Sequence, residues 1–182
     1  MKTIIVLLIF CLAFVVTAFT QEKFSSKTGK ITFEASVPSF EEVKAASSNV
    51  SAVLEIEMGN FAALALMKSF RFKVALMEEH FNENYIESSK YPKATFKGKI
   101  QGFNFSELSE EKEYVIKGTF NLHGTDKNME VPATISKKDG EVWVTVHFVL
   151  KPEEFNITIP SIVSKKIADE VNVFAVFKLQ KQ

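Results

Sequence analysis

Most of the chain alternates between apolar and polar residues with a period of two, which is the pattern of β-strands that bury one face. The first such run is Thr28–Ala35, and the last ends at Leu179. Gly59-Asn60 lies between two alternating runs and is a two-residue hairpin signal. The pattern is interrupted at Pro38 and across residues 45–49, which we interpret as a break between strands. About eight strands at hairpin spacing predict a small sandwich or a closed up-and-down barrel.

One segment has helical spacing instead. Met77, Phe81 and Tyr85 recur every four residues, which predicts a short helix over about residues 75–88. The helix must end before Tyr91-Pro92, because proline forces the preceding residue out of the α region. After the proline the period returns to two. We predict that this helix covers one end of the β structure.

The first 20 residues have the features of a signal peptide. Lys2 provides the positive charge, Ile4–Val16 the apolar run, and small residues follow, so cleavage is predicted near Ala18 or Thr20. A membrane anchor is the alternative, but the apolar run is short and polar sequence begins at Gln21.

The remaining segment, residues 21–182, is long enough for one domain. The sole cysteine, Cys11, belongs to the predicted signal peptide, so we expect no disulfide in the mature chain. We expect export to the periplasm or the exterior, with no membrane span after cleavage. Lys+Arg and Asp+Glu both number 22 and Arg71 is the only arginine, which argues against binding to nucleic acid.

Candidate catalytic groups are few. The chain has three histidines, of which His147 is predicted to lie on the surface and His123, ahead of a turn glycine, to be structural. His80 lies near Glu79 and Glu83, but the spacing that places two imidazoles on one helical face is absent, so a solvated acidic helix is favoured over a metal site. No nucleophile elbow, P-loop or dinucleotide fingerprint occurs. We predict no catalytic residue, no metal and no enzymatic activity.

The inward faces of the strands mix small residues with phenylalanines. Eight-stranded barrels have a size at which the interior is either filled by side chains or holds one small ligand. Small residues opposite large ones are also how a solid core interdigitates. The pattern alone therefore leaves a packed core and a lipophilic tunnel both open. A tunnel of this composition would suit a long hydrocarbon tail.

Two motifs resemble the YceI-like family. His80-Phe81-Asn82-Glu83 followed by Lys90 to Gly98 is similar to its "dFfd…yP.atF.s" signature, and Ile116 to Thr125 resembles its "v.G.Lti.G.t" strand and turn. The family's Arg-Asp pair ahead of the helix aligns here with Phe72-Lys73. The resemblance runs from about Thr28 to Leu179. It implies an all-β, eight-stranded antiparallel up-and-down barrel, lipocalin-like and secreted or periplasmic, in which several members hold a polyisoprenoid or isoprenoid-quinone tail.

Together the residues and the resemblance predict an exported, non-enzymatic protein that binds an isoprenoid, a quinone-type lipid or another long apolar ligand, with no other cofactor. A homodimer is compatible with the sequence. The alternative is a solid-cored β protein that binds another envelope protein through an exposed apolar patch of Phe103, Phe105 and Phe155. The residues predicted to line the tunnel are Phe33, Leu54, Ile56, Phe96, Ile100, Phe120, Val144, Val146, Phe148, Val173 and Phe177, with Tyr85, Tyr91 and Trp143 added because their rings combine an apolar body with a polar group.

Overall fold

The computed structural model describes residues 22–182, so the predicted signal peptide lies outside the described residues. These residues form a β structure with short helical turns at Met67–Ser69, Phe105–Glu107 and Pro152–Phe155. The strands are β1 (Lys23–Ser36), β2 (Lys44–Glu55), β3 (Asn60–Leu66), β4 (Arg71–Phe72), β5 (Lys93–Ile100), β6 (Lys112–Leu122), β7 (Thr125–Lys138), β8 (Glu141–Leu150) and β9 (Ile167–Lys181).

Eight of these strands close into an antiparallel barrel in the order β1-β9-β8-β7-β6-β5-β3-β2, with β2 pairing back to β1. The two-residue strand β4 lies outside this ring and pairs with β2. Closure leaves no exposed edge along the barrel, because each barrel strand has a partner on both sides. The predicted closed up-and-down barrel is confirmed, and the sandwich alternative is wrong.

Residues 45–49 were predicted to be a break, but they form part of β2. Ala45 is 2% exposed and pairs with Phe33 of β1. Ser47 is also buried, and its hydroxyl lies 2.7 Å from that of Ser69, so the buried polar group has a partner. Ala45 and Ser47 therefore pack inside the barrel, whereas the alternate residues of this run are exposed on its outer face.

The predicted helix is confirmed near one end of the barrel. Helix α1 (Ala75–His80) continues as one π-helical turn over Phe81–Tyr85. It ends a few residues earlier than predicted, because Glu87 adopts a positive φ of 46° that a right-handed helix does not allow. The Glu78 carboxylate anchors the helix to β4, since it accepts hydrogen bonds from Arg71 Nη1 at 2.8 Å and from the Phe72 amide at 3.1 Å.

The two ends of the barrel differ. The end that carries the β2–β3 and β7–β8 hairpins is filled by aliphatic side chains, and we call this layer the closed-end core. Each of its members is at most 1% exposed and none borders the cavity described below: Leu54, Ile100, Ile135, Val142, Val144 and Leu179. The opposite end carries residues 37–43, helix α1 and residues 151–166.

The apolar patch of the alternative hypothesis is absent from the described surface. Phe155 is 1% exposed, with its ring centroid 5.5 Å from that of Phe120. Phe103 and Phe105 are partly buried against the core, and Phe105 packs on Phe24 at 5.4 Å. The prediction of an exposed patch is wrong because the loops carrying these residues fold back over the barrel ends.

Strands β5 and β6 approach each other at two glycines. Gly98 and Gly118 are directly paired, and a methyl group on Gly118 would overlap the Lys97 carbonyl oxygen and lie 2.5 Å from the Gly98 Cα. Because these contacts involve backbone, the neighbours cannot move aside cheaply.

We therefore expect Gly118→Ala to lower the free energy of unfolding by about 1–3 kcal/mol, the usual cost of overpacking. Urea denaturation measures this change. Glu113→Ala on the same strand is the control and should change stability by less than about 0.5 kcal/mol, because its side chain is exposed. Equal stability of the Gly118→Ala variant and the parent chain would contradict the close approach of the strands.

Candidate functional site

A cavity of about 470 Å³ occupies the half of the barrel between the closed-end core and helix α1. This volume falls in the range of small-molecule sites, about 300–1,000 Å³. Its lining is apolar except for a few groups: Glu41, His80, Tyr85, Thr95 and Lys166. The filled interior expected under the alternative hypothesis is therefore wrong for this half of the barrel.

Small residues on several strands leave room for the cavity. Ala63 and Ala65 of β3, Ala94 of β5 and Ala175 of β9 all border the cavity. They alternate with outward residues along their strands, so their methyl groups lie on the inner face where a larger side chain would fill the lumen. The mixture of small and large inward residues, which was ambiguous in the sequence, thus leaves a hollow.

Two phenylalanine rings form the floor of the cavity. Phe61 of β3 and Phe177 of β9 are 3% and 2% exposed, and their ring centroids lie 5.5 Å apart in an edge-to-face arrangement. Both border the cavity, whereas Leu54 and Val144, their partners on the neighbouring strands, do not. The rings therefore separate the cavity from the closed-end core.

The mouth is lined by aromatic rings and by the helix. Phe33, Phe70, Phe72 and Phe81 form a cluster in which ring centroids are 5.2 to 6.1 Å apart. This cluster attaches the helical segment to β1 and β4 through apolar contacts. Phe72 also lines the cavity, so this part of the mouth is apolar.

Eight of the predicted residues border the cavity. They come from the strands, apart from Tyr85 at the end of the helical segment. Their contact with a ligand stays a prediction. They are Phe33, Tyr85, Phe96, Phe120, Val146, Phe148, Val173 and Phe177.

Three of the other predicted residues point inward, but they lie at a different level along the barrel axis from the cavity. Leu54, Ile100 and Val144 are at most 1% exposed, and they belong to the closed-end core. Alternation identifies the face on which a side chain lies, but not its level along the barrel axis. These residues are therefore corrected from cavity lining to core.

The remaining three predicted residues lie elsewhere. Ile56 follows the end of β2 in the β2–β3 turn and packs against the core. Tyr91 packs on His123, with ring centroids 4.2 Å apart, and Trp143 lies under the Lys178 ammonium at 5.4 Å. None of the three borders the cavity, because their positions fall in a turn, in a loop and on the outer face of β8.

Sequence reasoning missed several lining residues. Ile31, Val131 and Ala175 share the inward alternation and were accessible to it. Phe40 and Val163 belong to the segments that fold over the mouth. No periodic signal places such loop residues, because loop conformation depends on the tertiary contacts they meet.

His123 holds the loops around the mouth together. Its Nδ1 donates to the Phe155 carbonyl oxygen at 3.0 Å, and its Nε2 lies 2.9 Å from Oε2 of Glu87. The side chain is 8% exposed and is covered by Tyr91. This geometry joins the β6–β7 hairpin to the segment after the helix and to the helical turn that follows β8, which supports the structural role predicted for His123.

The other two histidines are exposed. His147 lies exposed on the outer face of β8, as predicted, and His80 is exposed on α1 at the mouth. Within residues 22–182, no group of three or more histidine, cysteine, aspartate or glutamate residues could hold a metal ion.

The side chains whose pKa values are shifted lie away from the cavity. The hydrogen bond from Asn60 and the ion pair with Lys23 lower the pKa of Glu55. Hydrogen bonds from Gln180 and Lys178 lower the pKa of Glu141 in the same way. The pKa of Lys90 is raised by a hydrogen bond with Tyr91 and by the nearby Glu87 carboxylate. None of these side chains borders the cavity.

Comparison with known protein families matches residues 12–179 to the YceI-like domain. The chain belongs to the YceI-like family. This agrees with the resemblance of the two sequence motifs and with the closed barrel. None of the curated proteins compared matches the chain. In the part of the chain from residue 22 onward, no helix is long and apolar enough to cross a membrane.

Solved structures share the fold at low sequence identity. A polyisoprenoid binding domain from Saccharophagus degradans is similar over 89% of this chain and 99% of its own, with 12% identity and a TM-score of 0.75. BcnA of Burkholderia cenocepacia covers 83% of this chain and 95% of its own, at 18% identity and a TM-score of 0.68. The YceI protein of Campylobacter jejuni covers 80% and 88%, at 17% identity and a TM-score of 0.61.

Proposed function

We propose that this YceI-like chain is an exported, non-enzymatic binding protein that holds an isoprenoid, or a similarly long apolar molecule, inside its barrel. The observation that carries the proposal is the apolar cavity of about 470 Å³ above the phenylalanine floor. Transfer of apolar surface from water into such a site stabilises a complex by about 25 cal/mol per Å². An isoprenoid tail offers only apolar surface and therefore matches this lining.

The polar groups of the cavity fit a head group better than a reaction. Glu41, His80, Tyr85 and Lys166 come from the helical segment and from the two long connections at the open end. An apolar tail with a polar head would place the head there, where water completes its hydrogen bonds. The leader-like residues 1–20 support export, and residence in the periplasm or the exterior follows from it.

A structural relative supports an isoprenoid as the class of ligand. The Saccharophagus degradans neighbour is a polyisoprenoid binding domain, and it shares this closed barrel over nearly its whole length. The cavity of the present chain provides the corresponding space within its own residues.

The test has two parts. Purified protein is extracted with organic solvent, and the extract is examined by mass spectrometry for isoprenoids and quinones. Delipidated protein is then titrated with a prenyl alcohol and a prenylated quinone, and binding is followed by native mass spectrometry. We expect stoichiometric uptake of one molecule per chain. Absence of lipid in the extract together with no uptake of either probe would overturn the proposed function.

A further inference from the structure

The cavity has a floor at a defined depth. Phe61 and Phe177 belong to strands that are not neighbours, since β1 and β2 lie between β3 and β9, so their rings meet across the lumen. Both rings are nearly fully buried and both border the cavity. A chain that enters from the mouth therefore meets these two rings at the bottom of the cavity.

The residues that the structure describes below the rings are buried and do not border the cavity. Leu54 is paired with Phe61 and Val144 with Phe177, and both residues are 0% exposed and do not border the cavity. Leu179, one inward position further along β9, is 0% exposed as well. Because protein interiors of this kind are close-packed, a ligand tail cannot pass the rings without displacing side chains.

A glycine leaves room for one of the two rings. A methyl group at Gly29 would lie 2.6 Å from Cδ1 of Phe177, so only glycine leaves room for the ring in its observed place. Gly29 lies where the pairing of β1 with β2 shifts register, and the irregular strand brings its Cα close to the ring. The depth of the cavity therefore depends on the Phe177 ring, which occupies the space left by the absent side chain of Gly29.

The volume sets the size of what fits. If each carbon takes roughly the 30 Å³ that a water molecule occupies in the liquid, a cavity of about 470 Å³ holds on the order of 16 heavy atoms. Three isoprene units contain fifteen carbons, whereas the two acyl chains of a phospholipid contain about twice as many or more. The cavity therefore suits one tail of moderate length.

Resting on the proposed function, we propose that the Phe61–Phe177 pair is a length stop. It selects single-tailed apolar ligands of about three to four isoprene units, whose far end abuts the two rings. Longer tails leave carbons outside the mouth, where they gain nothing from burial.

The experiment is a competition among prenyl alcohols. Delipidated protein is mixed with equal amounts of alcohols that contain two, three, four, six and eight isoprene units, and native mass spectrometry reports which are retained. Since each buried methylene strengthens binding up to about fourfold, we expect affinity to rise at least tenfold from two to three units. It should then stop rising beyond four.

Phe177→Ala removes one ring of the stop and should move the preferred length upward by about one isoprene unit. Phe61→Ala is the second variant, in case the first does not fold. Phe24→Ala is the matched control, because Phe24 is 3% exposed but does not border the cavity, and it should leave the preference unchanged.

Three outcomes separate the proposals. A plateau that shifts in the floor variants and not in Phe24→Ala supports the length stop. Retention of all tails without a plateau, or a preference that ignores both floor substitutions, overturns the length stop while the proposed function stands. No retention of any alcohol by folded protein overturns the length stop, and together with a lipid-free extract and no uptake of the quinone it overturns the proposed function as well.

Discussion

Replacing Ala63 with phenylalanine is expected to weaken binding of a prenyl alcohol at least tenfold. Ala63 borders the cavity from β3, where its small side chain faces Phe96 of the neighbouring strand. A ring at this position would occupy the lumen, and each methylene displaced from the cavity loses about 0.8 kcal/mol of burial. Isothermal titration or native mass spectrometry measures the change.

The adjacent residue provides a matched control. Ala62 lies on the opposite face of β3, pairs with Val53 and Lys97, and does not border the cavity. Ala62→Phe introduces the same ring on the outside of the barrel and should change the affinity by less than twofold. Equal losses in the two variants would argue that the ligand site is not in the lumen.

Leu54→Ala is expected to lower the free energy of unfolding by about 2–5 kcal/mol, the range for truncation of a buried leucine. Leu54 is 0% exposed in the closed-end core. Because it lies below the floor, its truncation should leave the affinity for a three-unit prenyl alcohol within about twofold of the parent chain. Urea denaturation and ligand titration measure the two effects on the same preparation.

Leu66→Ala is the control for this prediction, since Leu66 is 45% exposed at the end of β3. Its truncation should cost less than about 1 kcal/mol. A Leu54→Ala variant that is as stable as the Leu66→Ala variant would contradict a packed closed-end core. A large loss of affinity in Leu54→Ala would show that the ligand reaches below Phe61 and Phe177.

The alternation of residues predicted a small all-β fold of about eight strands, and the family resemblance distinguished the closed barrel from a sandwich. A period of two fixes which side chains face inward, and eight such runs at hairpin spacing have few ways to bury those faces. The helical spacing of Met77, Phe81 and Tyr85 likewise corresponds to α1 and its π-helical turn in the structure. Both signals are local, because they depend only on the geometry of a single element.

The height of a residue along the barrel was not accessible to the same reasoning. Phe177 and Leu179 alternate on the same face of β9, yet Phe177 borders the cavity and Leu179 belongs to the closed-end core. Whether an inward residue borders the cavity depends on how far neighbouring strands are offset along the barrel axis. It also depends on which of its inward neighbours are alanines, such as Ala63 and Ala175. These are properties of the assembled barrel and not of one strand.

The incorrect prediction of a break at residues 45–49 has a local cause. Residues 45–49 were interpreted as a break because small and polar residues are typical of turns. In the barrel, Ala45 and Ser47 instead occupy crowded inward positions, where Ser47 finds a hydroxyl partner on Ser69. Composition alone does not distinguish a solvated turn from a tightly packed strand, because both favour small side chains.

A crystal structure of delipidated protein loaded with a three-unit prenyl alcohol tests the central claim most directly. We predict continuous ligand density in the lumen, with the far end of the tail against Phe61 and Phe177 and the hydroxyl near Tyr85 or Lys166 at the mouth. Density for the alcohol only on the outer surface, with the lumen filled by the protein's own phenylalanine rings, would contradict the account.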